Sequence, residues 1–214
     1  MTQVTKWTFG GLLLLPLLSG SIVMAMGRTP VEFAISLMAF PLGICGAVAV
    51  LTFRGASSAI AVWSGRLAAG LAAGIVATLF YDGYRIAVRD VLAIPFDPFR
   101  VQPVFGQILT GLPTTHPLSL VAGWGYHLWL GSQLGMFFAA LRPHGGLVAG
   151  MLFASAIQIG RWLMYPSVFT AGLGDREFFA NGVIGQLLWG CIIGLSLMVI
   201  DRHLTDGSKY YARP

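Results

Sequence analysis

Stretches of about twenty apolar residues recur six times along this chain, near 8–26, 32–53, 60–84, 118–141, 146–166 and 180–200. A helix rising ~1.5 Å per residue needs roughly 20 residues to cross the hydrocarbon core of a bilayer, and within that core the backbone must satisfy its own amides. The expected fold is therefore all-α: one integral membrane domain over residues 1–214, a polytopic transmembrane helix bundle of about six spans, with a short tail over 201–214. Arg66 interrupts the apolar run from Ala56 to Tyr81, so the third helix can begin on either side of it.

Composition points to the same solvent. Apolar residues make up 56% and charged residues 10% of the 214, where a soluble domain carries ~25% charged. The apolar stretch from Phe9 to Met26 follows Lys6 as a signal peptide would, but it lacks a small-x-small cleavage site and reads as a retained first span. Cys45 and Cys191 lie inside apolar runs and read as small buried hydrophobes, with no indication of redox role or compartment.

Lys and Arg are retained in cytoplasmic loops. With the N-terminus inside, Lys6, Arg54, Arg66, Arg142, Arg202, Lys209 and Arg213 fall on that side, Arg28, Arg85, Arg89, Arg100 and Arg176 fall outside, and Arg161 stays within a span. The expectation is a bacterial inner (cytoplasmic) membrane protein with both termini cytoplasmic. The long outer loop at 91–117 carries Pro95, Pro98, Pro103, Pro113 and Pro117 among Phe96, Phe99, Phe105 and other apolar residues. A loop of that composition suits an interfacial or re-entrant segment packed on the bundle, read first as a structural cap and second as a lid or docking surface.

Self-similarity appears between spans three and five, where Gly70-Leu-Ala-Ala-Gly74 matches Gly146-Leu-Val-Ala-Gly150 and, at the same offset, Asp82 meets Gln158 and Arg85 meets Arg161. Gly131-x-x-x-Gly135 and Arg142-Pro-His144 of span four match Gly190-x-x-x-Gly194 and Arg202-His203 of span six, which sets His127 against Gln186. This is the pattern of a parallel tandem repeat of two helical hairpins, spans 3–4 and 5–6. Small-x-x-x-small spacing itself lets helix backbones approach closely in lipid and says little about function.

Polar side chains inside spans are expensive unless paired or hydrated. Asp82, Arg85, Tyr126, His127, Gln158, Arg161 and Gln186 all fall in the expected outer half and form the candidate ligand-binding cluster; Gln133 lies deeper. Asp82 with Arg161 or Arg85 would make a neutralised structural pair, while Arg85 and Arg161 with Gln158, Gln186 and Tyr126 would make a pocket for an anionic headgroup or carboxylate. His127, one turn from Gly131 and from Gly123 and flanked by Trp124 and Trp129, has the setting of a single axial ligand to a tetrapyrrole, although histidine bonded to a neighbouring helix is the commoner arrangement. No metal-ligand spacing, phosphate-binding glycine loop or serine nucleophile elbow occurs, and the net charge of +5 is scattered at span ends, which excludes a nucleic-acid patch.

Three functions are compatible with these features. The first is a small accessory or scaffold subunit of a larger membrane assembly, contacting membrane lipids and other subunits and enclosing lipid or a pigment such as a tetrapyrrole or carotenoid. The second is a small transporter or carrier for an anionic solute or lipid. The third, with least support because no catalytic residue is indicated, is an integral membrane enzyme acting at the outer leaflet.

Overall fold

A computed structural model of the chain describes residues 58–91, 93, 97–142, 144–164 and 182–211. The first two expected spans, Cys45 and the side chain of Arg161 lie outside the described residues. What is described is all-helical: α1 (Ser58–Val91), α2 (Val101–Thr110), α3 (Pro117–Leu141), α4 (Leu147–Met164) and α5 (Gly185–Tyr211), with no strand among the described residues. Two segments, Gly65–Val91 and Gly182–Asp201, are long and apolar enough to cross a membrane. The 25 residues of α3 would rise ~37 Å, but glycines, Tyr126, His127, Ser132 and Gln133 dilute its apolar character.

Helix α1 includes Arg66 rather than starting beyond it. The stretch between the third and fourth expected spans is not wholly loop: its residues 101–110 form α2. Pro103 is tolerated because it falls in the first turn, where its missing N–H has no intrahelical acceptor. Gly111 closes α2 in the left-handed region, with φ 71°, and its N–H bonds Gln107 O at 2.8 Å. α3 starts on a built cap: His116 Nδ1 accepts the Leu118 N–H at 3.2 Å and Pro117 occupies the first helical position.

Glycine sets how the helices meet. α1 and α3 run antiparallel with Gly70 and Gly74 facing Gly135 and Gly131: a Cβ on Gly70 would lie 2.6 Å from Gly135 O, and one on Gly135 would lie 2.8 Å from Gly74 Cα. α4 and α5 meet in the same way, since a Cβ on Gly150 would lie 3.1 Å from Gly194 Cα and one on Gly194 would lie 2.9 Å from Gly146 C. α2 is seated just as closely on α3, where a Cβ on Gly106 would strike the carbonyl of Ser119 and one on Gly123 that of Gln102. Such contact brings the backbones close enough for dispersion between them to contribute directly to packing.

The turn between α3 and α4 uses positive φ at Gly145 (65°) and Gly146 (122°), and the Gly146 N–H donates to Gly194 O at 3.0 Å. A side chain at Gly145 would meet Met198 N at 2.6 Å, so conformation and space both demand glycine there. The core shared by these helices contains Ala73, Ala77, Leu134, Phe138, Ala154, Trp189, Ile193 and Leu197. The Phe153 ring lies between Phe138, at 5.1 Å, and Trp189, at 6.4 Å, and so joins α3, α4 and α5.

Candidate functional site

The polar centre of the bundle follows from the α1/α3 seam. With Gly74 seated against Gly131, two turns further along α1 and one turn back along α3 bring Asp82 beside His127. His127 Nε2 lies 3.1 and 3.0 Å from the two carboxylate oxygens of Asp82, shared between them. Arg85, one turn beyond Asp82, approaches the same carboxylate at 3.8 Å. All three side chains are largely buried, with exposures of 9% for Asp82, 11% for Arg85 and 16% for His127. An unpaired carboxylate at that burial would be strongly disfavoured, and the hydrogen bond to His127 together with the nearby Arg85 charge offsets its desolvation.

Aromatic rings complete this arrangement. The Arg85 guanidinium carbon lies 5.1 Å from the ring centres of both Tyr81 and Phe99. Phe99 packs on Trp124 at 4.9 Å, and Trp124 presents its edge to His127 at 5.8 Å. Phe99 belongs to the proline-rich stretch, so that stretch covers the charged group at its end of the bundle. Cation–π contact with two half-buried rings adds roughly 0.5–2 kcal/mol each and holds the guanidinium in place.

Beside the Asp82–His127 pair lies a cavity of about 40 Å³ lined by Thr78, Tyr81, His127, Leu134, Gln186 and Trp189. It sits where α1 and α3 meet α5. A hydrogen bond crosses the same junction: the Trp189 indole N–H donates to Thr78 Oγ1 at 3.1 Å, while the Thr78 hydroxyl donates to Gly74 O at 2.8 Å.

The residues named from sequence are thus only partly brought together. Asp82, Arg85 and His127 form one group, and Gln186 joins His127 at the cavity. Tyr126 packs its ring against Phe105 of α2 at 5.0 Å. Gln158 is buried on α4, but no hydrogen bond joins it to the group among the described residues. Arg161 is placed in α4 by its backbone alone. As for a flat tetrapyrrole platform, Nε2 of His127 is engaged by Asp82, and a Cβ on Gly131 would strike the Thr78 hydroxyl, so α1 covers that glycine face.

Sequence reasoning assigned Asp82 to an arginine and missed His127 as its closer partner. The signal was present in the paired glycine motifs, which fix the register of α1 on α3 once the two are taken as one antiparallel seam. Thr78 and Trp189 were missed as well; a threonine one turn past Gly74 on the seam face was the available cue. Gln133 is fully buried on α3, with neither amide atom hydrogen-bonded among the described residues. At the opposite end of the bundle His144 Nδ1 meets Asp201 at 2.7 Å, tying the α3–α4 turn to α5.

Chemically, the buried group is a carboxylate held between a histidine and an arginine. Among the described residues no three His, Cys, Asp or Glu side chains come together as a metal would require. No protein-family model, no curated protein and no solved structure matches this chain.

Proposed function

We propose that the chain is a small multi-pass scaffold or accessory subunit of a larger membrane assembly. The observation that carries this reading is where its apolar bulk points. Beyond the leucines and aromatic rings of the core, large apolar side chains such as Phe80 (62% exposed), Val121 (68%), Val148 (67%) and Leu152 (65%) face outward on α1, α3 and α4. A body of this kind meets either acyl chains or the helices of another subunit.

In this reading α1, α3, α4 and α5 are four of six spans, the two apolar stretches before residue 58 supply the others, and both termini lie on the cytoplasmic side of a bacterial inner membrane. The two glycine seams, at matching offsets, support a parallel tandem repeat in which α1–α3 and α4–α5 are equivalent hairpins. Membrane lipids and neighbouring subunits are the partners. The reading is preferred to an anion carrier because Arg85, one of the two cations such a site relies on, already lies against Asp82 and beside two aromatic rings.

Mild-detergent extraction of the tagged chain from its native membrane tests this. A particle larger than the monomer, holding a second subunit at fixed ratio and lost on Phe80→Asn or Leu152→Asn without change in melting temperature, is the expected result. A monodisperse monomer with no companion would refute it. Thiol labelling of single cysteines at positions 100 and 142 from the two sides of the membrane tests the orientation, and the visible spectrum of the purified particle tests for pigment.

A further inference from the structure

Helix α1 packs on both α3 and α5, whereas α3 and α5 scarcely touch each other. The cavity is the gap left between them over α1, lined by Thr78 and Tyr81 of α1, His127 and Leu134 of α3, and Gln186 and Trp189 of α5, and it is open on one side. Gln186 stands four residues before Gly190, as His127 stands four before Gly131, so the two polar groups enter from α5 and α3 at the same level of their seams.

Asp82 fixes what His127 offers to that gap. A carboxylate oxygen only accepts, so the 3.0 Å contact is a hydrogen bond donated by Nε2, and Nδ1 of the neutral ring is then an acceptor held in one orientation. The Gln186 carboxamide carries both donors and an acceptor. Among the described residues no Lys, Arg, Asp or Glu lines the cavity, and the adjoining Asp82 carboxylate repels an anion. The group that suits this lining is uncharged and both donates and accepts a hydrogen bond, as a hydroxyl does. Each water-sized group needs roughly 10–15 Å³, so the cavity's 40 Å³ takes about three: a hydroxyl and the carbons beside it, with the rest of a larger molecule leaving through the open side.

We propose, relying on the membrane-spanning placement of these helices but on no partner subunit, that the cavity binds the hydroxyl head of a lipophilic alcohol whose tail runs out among the acyl chains. The hydroxyl donates to His127 Nδ1 and accepts from the Gln186 amide. Depth favours a ligand from the lipid phase: His127 lies ten residues inside the Pro117 end of α3, or ~15 Å along the helix, and Phe99 on Trp124 with Trp124 on His127 covers it from that end. Polar side chains at such depth are costly against bare hydrocarbon, and an alcohol head satisfies them while its tail stays in the solvent it prefers.

The experiment is an NMR titration of the full chain in phosphatidylcholine nanodiscs, with nitrogen label in the histidine rings and 1-decanol as the probe. The expected result is a saturable shift of the His127 Nδ1 resonance with decanol and none with decane or decanoate, while 1-propanol, which lacks the tail, requires a far higher concentration. No saturable shift with decanol, or an equal one with decane or decanoate, would overturn the site; equal affinity for propanol would overturn its lipid-phase source. Gln186→Leu in the folded chain is expected to weaken decanol about fivefold, the worth of one net hydrogen bond, and unchanged affinity there also counts against the proposal; the wild-type titration decides without that variant. Because the single chain is titrated, a companion-free monomer that binds decanol refutes only the scaffold reading, and a subunit-bearing particle that does not bind it refutes only the site.

Discussion

Adding a single methyl group at Gly74 tests the packing mechanism more directly than any change to the polar residues. A Cβ there would lie 3.0 Å from Gly131 C and 3.1 Å from Ser132 Cα, and closer still to the Gly131 carbonyl oxygen. Ordinary carbon contacts begin near 3.4 Å, so α1 and α3 must part by several tenths of an ångström along the seam. Overpacking of this kind costs about 1–3 kcal/mol, because every neighbouring contact is stretched past its optimum. Replacing glycine by alanine in a helix also gains about 1 kcal/mol from the unfolded chain's entropy, which would mask part of the loss.

Gly83 removes that ambiguity. It lies on the same helix and is exposed, with nothing within 4 Å of an added Cβ. Gly83→Ala registers the propensity gain alone, and the difference between the two variants isolates the seam. Gly74→Ala is expected to unfold about 1–3 kcal/mol more easily than Gly83→Ala, or about 2–10 °C lower in melting temperature for a chain of this size. Unfolding in mixed micelles, followed by helical circular dichroism, measures it. Gly150→Ala against Gly160→Ala, the latter also open, repeats the comparison on the α4/α5 seam. Equal stability of Gly74→Ala and Gly83→Ala would refute the close-approach account of how these helices hold together.

Three further outcomes follow from particular contacts. Asp82→Ala leaves a buried histidine and arginine without their acceptor and is expected to cost about 3–5 kcal/mol, whereas adding His127→Ala to it costs less than the sum of the two, with a coupling of about 1–3 kcal/mol in a double-mutant unfolding cycle. Gly111→Ala forces a side chain into φ 71° and is expected to cost about 1–2 kcal/mol, read as faster amide hydrogen exchange over residues 101–110 than over α3. His144→Ala removes a 2.7 Å contact to Asp201 from a histidine that is 73% exposed; the expected loss in unfolding free energy is under about 1 kcal/mol, in contrast to the buried pair.

The all-helical class was legible in the sequence, as was the small-residue spacing that seats α1 on α3 and α4 on α5, whereas α5 continues to Tyr211 through residues expected as a tail. α3 was placed to within a residue because Pro117 and Arg142 punctuate it. The composition of residues 91–117 indicated a segment packed on the bundle, yet its helix α2 was missed. Five prolines argue against helix locally, and what stabilises α2 is its seat on α3 through Gly106 and Gly123, a contact between residues distant in sequence.

Only the tertiary structure decided which groups face one another. Asp82 could reach an arginine on its own helix or one on another, and sequence spacing has no term for the azimuth and register of a second helix. The Gly74–Gly131 contact set both and delivered His127 to the carboxylate. The same rotation of α3 set Tyr126 against Phe105. Local hydrogen bonding and hydropathy are properties of a segment and can be read from it, whereas the partner of a buried charge is a property of a crossing, fixed where two backbones come close enough to exclude everything between them.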